Sequence, residues 1–296
     1  MYSLRSPPLD FDPAFQIDTP PRQTAALVFA SPHSGNFYPE AFVRASKLDR
    51  LTLRRSEDAF VDELFAAAPS VGAPLIKALF PRAFVDPNRE AYELDPAMFG
   101  EALPEFVNTA SPRVAAGLGT IARVVASGAE IYFGKLSFAE ARSRIEHLYR
   151  PYHAAIARLL DETKSRFGRV LLVDCHSMPS VGGPMDRDPG KRRVDFVLGD
   201  CHGASCAPRL VDQAERWLRA RGYTTARNDP YAGGFCTRHY GRPGEGRHAL
   251  QIEINRSLYM DETRIERSEN FSRLAADMSA LAGFLTDVTA REVAAP

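Results

Sequence analysis

Alternation constrains this sequence more than any other feature. Short apolar runs, rich in β-branched and aromatic residues, are separated by longer stretches with helical spacing. Five runs read as strands: "AALVFASPHSG" (Ala25–Gly35), "APLIKALFPRAFVD" (Ala73–Asp86), "RVLLVDCHS" (Arg169–Ser177), "RVDFVLGD" (Arg193–Asp200) and "HALQIEIN" (His248–Asn255). Each is bounded by turn residues, as buried strands are. The clearest helix opens at Ser137, with Glu140 three residues on in capping-box spacing. Ile145, Leu148, Tyr149, Ile156, Leu159 and Leu160 then hold a helical period as far as Gly168, interrupted at Pro151. A second helix is predicted from near Ser205 to Gly222, and a third over roughly Arg264 to Thr289. Strands alternating with long helices predict an α/β layer fold with a mostly parallel sheet. No internal repeat divides the chain, so one domain is expected over 1–296, with an irregular excursion near 90–136.

Composition excludes several classes. The 296 residues are 45% hydrophobic and 25% charged, enough for a large core. Lysine plus arginine and aspartate plus glutamate both number 37, so no basic surplus points to nucleic acid or an anionic membrane. No apolar run approaches the ~20 residues that cross a bilayer. The opening "MYSLRSPPLDFDPAF" has prolines and acids where a signal peptide needs an apolar core, which predicts a cytoplasmic protein. The four cysteines, Cys175, Cys201, Cys206 and Cys236, form no C-x-x-C pair and read as free thiols.

Chemistry-bearing residues gather at strand ends, where open α/β sheets bind ligands. The first run delivers His33, the second Arg82, Asp86, Asn88 and Arg89, the third His176, and the last Glu253. Two histidines and a carboxylate make a catalytic zinc site, with a fourth position left for water or substrate. Glu57 and Asp58 in "RRSEDAFVDELF" both qualify as the acidic ligand, although an acidic first turn of a helix looks the same. Glu253, alternating with Leu250, Ile252 and Ile254, fits a solvated strand face as well as a general base. Other schemes lack their motifs: there is no H-E-x-x-H, G-x-S-x-G, G-x-G-x-x-G or P-loop. Cys206 as a nucleophile has little support, since small residues early in a helix also simply pack. Arg82, Arg89 and Arg238 suit an anionic small-molecule substrate, because a guanidinium fork binds a carboxylate bidentately.

The stretches "SPHSG", "RAFVDPNR", "DCHSMPS", "GDCHGASCAP" and "GGFCTRHYGRPGEGRHALQIEINRSLYMDE" together resemble the N-formylglutamate amidohydrolases, from about Ala25 to Glu262. That family is similar in turn to the zinc carboxypeptidases and the aspartoacylase group. The resemblance implies a mixed, mostly parallel central sheet with helices on both faces and zinc-dependent hydrolysis of an N-formylated acidic amino acid. One zinc ion per chain would be held by His33, Asp58 and His176, with Glu57 in reserve for Asp58. Glu253 would serve as general base and then acid. Asn88 and Arg89 resemble a carboxylate-binding pair, Arg82 an oxyanion-side arginine, and Arg238 and Tyr240 second-carboxylate or lid contacts. Asp174 or the "SMPS" backbone is expected to steady His176. Two features depart from the pattern. Asn36 stands where the wider superfamily carries the acid of H-x-x-E, and Glu90 to Leu136 matches poorly, so selectivity is expected there. Two alternatives remain open: an amidase for another N-acyl amino acid, and a non-catalytic dicarboxylate-binding protein. The sequence leaves oligomeric state undetermined.

Overall fold

The computed structural model describes residues 11–184 and 186–293. The first ten residues of the amino-terminal segment read above lie outside that range. Seven strands form one sheet: β1 (Phe15–Asp18), β2 (Leu27–Ser31), β3 (Leu75–Ala78), β4 (Val170–Met178), β5 (Phe196–Gly199), β6 (Thr225–Arg227) and β7 (Arg247–Asn255). Their order is β1-β3-β2-β4-β7-β5-β6. The central β3, β2, β4 and β7 run parallel, and β5 pairs parallel with β6. Among the described residues of this sheet only the β1–β3 and β5–β7 pairs are antiparallel, so it is mixed and mostly parallel.

The sheet is covered on both faces because its central strands are apolar on both. Val28, Ala30, Val170 and Leu172 pack under Tyr152, Ile156, Leu159 and Leu160 of the helix Arg150–Phe167. The alternate residues Leu171, Val173, Cys175, Leu250, Ile252 and Ile254 pack against the helices Pro208–Ala220 and Phe271–Val293. The period of two thus divides one sheet between two cores. Toward the strand carboxyl ends the first face changes character: Asp174, His176, Gln251 and Glu253 replace the aliphatic residues there, and all four are buried.

Several local expectations need correction. Ordered strand covers only Leu75–Ala78 of the Ala73–Asp86 run, since the chain turns beyond it through Pro81, which has no backbone N–H to donate. Likewise β5 begins at Phe196 rather than Arg193. The last helix starts at Phe271, because Met260–Asp261 and Glu266–Arg267 first pair as a small hairpin. Pro151 does not interrupt its helix. A π-turn over Ile145–Tyr149 joins Phe138–Arg144 to Arg150–Phe167. Proline clashes with the carbonyl four residues back, here His147 inside the widened turn, so the irregularity accommodates it. Ser137 accepts from Glu140 N at 3.1 Å, but the Glu140 carboxylate pairs with Arg144 instead of completing the box. No helix among the described residues is long and apolar enough to cross a membrane.

Gly35 closes the turn that carries His33 out of β2. A Cβ at this position would collide with the backbone carbonyl of Phe80. Gly35→Ala is therefore expected to destabilise the fold by about 2 kcal/mol or more, as overpacking against rigid backbone does. Urea unfolding of the variant checks this, and an unchanged midpoint would refute the packing argument.

Candidate active site

Three loops and two strands converge beyond the carboxyl end of the sheet. His33 follows β2, Asp58 lies in the turn before the short helix Val61–Leu64, and His176 sits near the end of β4. Their ligand atoms lie within 4.8 Å of one another, and all three residues are buried. Backbone bonding ties two of these segments together, since Asp58 N donates to His33 O at 3.0 Å. Asp58 Oδ2 is 2.9 Å from His176 Nδ1 and 3.2 Å from His33 Nδ1.

The opposite nitrogen of each imidazole meets a second carboxylate. His33 Nε2 is 2.8 Å from Asp86 Oδ1, and His176 Nε2 is 3.0 Å from Asp174 Oδ1. An ionised carboxylate only accepts, so both Nε2 atoms donate, and neutral rings then aim their Nδ1 lone pairs at Asp58. Lone pairs from two imidazoles and a carboxylate converging in a buried space repel one another unless a cation sits among them. This N, N, O donor set, with each histidine backed by a carboxylate, fits a divalent metal ion. Burial alone would raise the Asp58 carboxyl; with protons rather than a metal ion on the facing imidazole nitrogens, the hydrogen bonds from His176 and His33 hold it well below the usual range. Asp86 is likewise held down against burial by Arg82, His33 and Arg89.

Glu57 faces elsewhere: both its oxygens receive the Arg54 guanidinium, at 3.0–3.2 Å. Glu253 is not on a solvated face. It is buried, opposite His176 in the β4–β7 register, and its Oε1 accepts from Gln251 Nε2 at 2.8 Å. Burial raises its carboxyl most; Asp58 adds to the rise while His176 and Arg82 oppose it, and the result is pushed up to about 7.

Arg82 donates to Asp86 Oδ2 at 2.7 Å and reaches within 4.0 Å of Asp58. Arg89 is nearly buried and largely engaged, with Nε on Leu118 O and Nη1 on Asn88 O, both at 2.9 Å. The Asn88 amide also turns onto protein groups: its Oδ1 accepts from Cys236 N at 2.8 Å, and its Nδ2 lies 3.2 Å from His176 Nε2. Tyr240, expected as a substrate contact, does not line the cavity. It is buried and bonds His153 Nδ1 at 2.7 Å, because the helix Phe235–Tyr240 turns it toward the Arg150–Phe167 helix. Arg238, on the same short helix, is exposed and does line the cavity.

Sequence reasoning passed over several contributors. Arg256, just past β7, donates to Asp58 Oδ1 at 3.1 Å and to Ser177 Oγ at 3.2 Å. Thr237 donates to Asp174 Oδ2 at 2.9 Å and lies 3.2 Å from Gln251 Oε1, joining the His176 side of the site to the Glu253 side. The signal was present in "INRS" and "CTRHY", inside the longest quoted stretch, but hydroxyl and amide partners announce themselves only once strands are paired. His33, Asp58, His176, Gln251, Glu253 and Arg256 border a cavity of about 470 Å³, room for a small molecule.

Comparison with known proteins agrees with this geometry. The N-formylglutamate amidohydrolase family matches residues 25–260. An N-formylglutamate deformylase of Pseudomonas putida is 31% identical over 249 residues, covering 80% of this chain and 82% of that protein. One from Pseudomonas aeruginosa is 32% identical over 245 residues, covering 81% and 84%. The crystal structure of N-formylglutamate amidohydrolase from Ralstonia eutropha JMP134 superposes with a TM-score of 0.86 at 40% identity, over 94% of this chain and 99% of that one. With the match spanning every residue of the buried cluster, the chain belongs to the N-formylglutamate amidohydrolase family, hydrolases of an amide bond.

Proposed function

We propose that this protein is a zinc-dependent deformylase that hydrolyses the formamide of N-formyl-L-glutamate to formate and glutamate, with the whole chain acting as one catalytic unit. One juxtaposition carries the reading: a buried carboxylate, Glu253, stands in register with His176 of the His33–Asp58–His176 cluster. His33, Asp58 and His176 would hold a zinc ion, which when bound would supply a water of lowered pKa and polarise the substrate carbonyl. Glu253 takes the proton of the attacking water and delivers it to the departing nitrogen as the C–N bond breaks. Gln251 fixes the Glu253 carboxylate, and Asp86 and Asp174 hold the two imidazoles in one tautomer. Arg82, already near Asp58 and Asp86, steadies the oxygen that becomes negative at the tetrahedral stage. Arg89, with Asn88 beside it, faces the α-carboxylate of the substrate, and Arg238 lines the same cavity.

A second reading, an amidase for a bulkier N-acyl amino acid, is favoured by one observation. The cavity of about 470 Å³ has an apolar side formed by Leu118, Ala122, Val124 and Val125, larger than a formyl hydrogen requires. N-acetyl-L-glutamate separates the two: a deformylase is expected to turn it over at least about a hundredfold more slowly than the formyl substrate.

Glu253→Gln keeps shape and loses the base, so kcat is expected to fall by about 10²–10⁴ with zinc content unchanged. Full activity in a zinc-loaded variant would remove Glu253 from the mechanism. Because a base works only when ionised, kcat/KM is expected to fall on the acid side of a pKa of about 7, or lower where a bound cation favours the carboxylate. This limb is read from the pH profile and should vanish in Glu253→Gln. The deciding experiment measures metal content and formate release from N-formyl-L-glutamate on one preparation. One zinc per chain with chelator-sensitive turnover is expected; a metal-free preparation with full turnover would overturn the reading.

A further inference from the structure

The charges around the cavity do not balance, and the imbalance has a direction. Six arginines line it: Arg82, Arg89, Arg113, Arg187, Arg238 and Arg256. The inner ones have protein partners. Arg82 pairs with Asp86, Arg256 with Asp58, and Arg89 gives its donors to two backbone carbonyls while lying 3.7 Å from Asp86. Asp186, a further acid on the lining, is taken by Arg193. Arg113, Arg187 and Arg238 differ: all three are exposed, and none of their side chains has an ion pair or hydrogen bond among the described residues, but Arg113 and Arg187 lie outside the helix Phe235–Tyr240 that carries Arg238. They come from separate places: Arg113 from the short helix Pro112–Ala115 within the irregular excursion, Arg187 from the turn between Gly182 and Gly190. Arg113 also sits close enough to Arg89 for the two positive charges to repel. Like charges gathered along one cleft without acids to answer them are costly until an anion arrives.

A substrate with two carboxylates presents them at different depths. The α-carboxylate is bonded to the carbon that bears the amide nitrogen, so it must stay beside the inner, buried arginines. The side-chain carboxylate lies several bonds further out and needs a partner on the outer wall. We propose that Arg113 and Arg187 are specificity-determining residues that bind the side-chain carboxylate of the N-acylated amino acid and so select acidic over neutral substrates. The inference rests on the deformylase reading for its substrate, yet it assigns residues that the reading does not use.

The test compares N-formyl-L-glutamate with N-formyl-L-glutamine, which has the same shape and no side-chain charge, in the zinc-loaded wild type, Arg113→Gln, Arg187→Gln and the double variant. Both positions are exposed, so melting temperatures should stay within a few degrees of wild type. A hydrogen bond to a charged group is worth about 1.5–3 kcal/mol, or roughly ten- to a hundredfold. Each single change is therefore expected to lower the glutamate-to-glutamine ratio of kcat/KM about tenfold or more, chiefly through KM for the glutamate substrate. An unchanged ratio in the double variant, with the wild type active, overturns this assignment and leaves the deformylase reading intact. Calorimetric binding of glutarate, which carries two carboxylates and no amide, gives a readout independent of turnover. If the wild type releases no formate yet binds glutarate about tenfold or more tightly than Arg113→Gln, the deformylase reading fails and the anion site stands. Equal glutarate affinity in wild type and double variant refutes the site.

Discussion

Everything in this site depends on how β4 lies beside β7. The two strands pair in parallel over nine positions, setting Asp174 opposite Gln251 and His176 opposite Glu253. Since side chains alternate, those four share one face and the aliphatic residues between them share the other. A slip of one residue would send the histidine and the carboxylate into the core beneath the carboxy-terminal helix. The apolar pattern that fixes the register for packing therefore also fixes the reactive groups.

Loops from elsewhere complete what the strands begin. His33 and Asp58 reach the cluster from segments joined by a backbone hydrogen bond, and Arg256 closes over Asp58 from the end of β7. Burying this many ionisable groups would be destabilising if any were left unmatched. Here each is answered: Asp86 by Arg82 and His33, Asp174 by His176 and Thr237, Glu253 by Gln251. Rotation of any one side chain is opposed by the hydrogen bonds of its neighbours, which keeps the donor geometry narrow.

Much of this arrangement was legible in the residues. The central strands β2, β4 and β7 are long enough and apolar enough to declare themselves, and they end in the histidines and glutamate that matter. The edge strands β1 and β6 were not, because four residues of Phe15–Asp18 and three of Thr225–Arg227 carry too little pattern to stand out from loop. The choice between Glu57 and Asp58 could not be made from spacing, since adjacent acids differ only in which way the backbone turns them. Tyr240 misled for a related reason: positions two apart on a short helix point about 200° apart, so Arg238 faces the cavity while Tyr240 faces the core. Partners such as Thr237 and Gln251 lie inside the longest quoted stretch yet carry no signal of their own, because their contribution exists only in three dimensions.

From the helical segment that runs through the π-turn, Tyr149 donates its hydroxyl to Arg89 O at 2.7 Å, and His153 Nε2 lies 2.8 Å from Pro87 O. These bonds flank Asn88, so the stretch carrying Asp86, Asn88 and Arg89 is splinted along a helix although it has no regular structure of its own. A free loop must lose its disorder each time a ligand arrives. This one loses it once, when the chain folds, and meets every incoming molecule already set, so a molecule of the wrong shape finds no give.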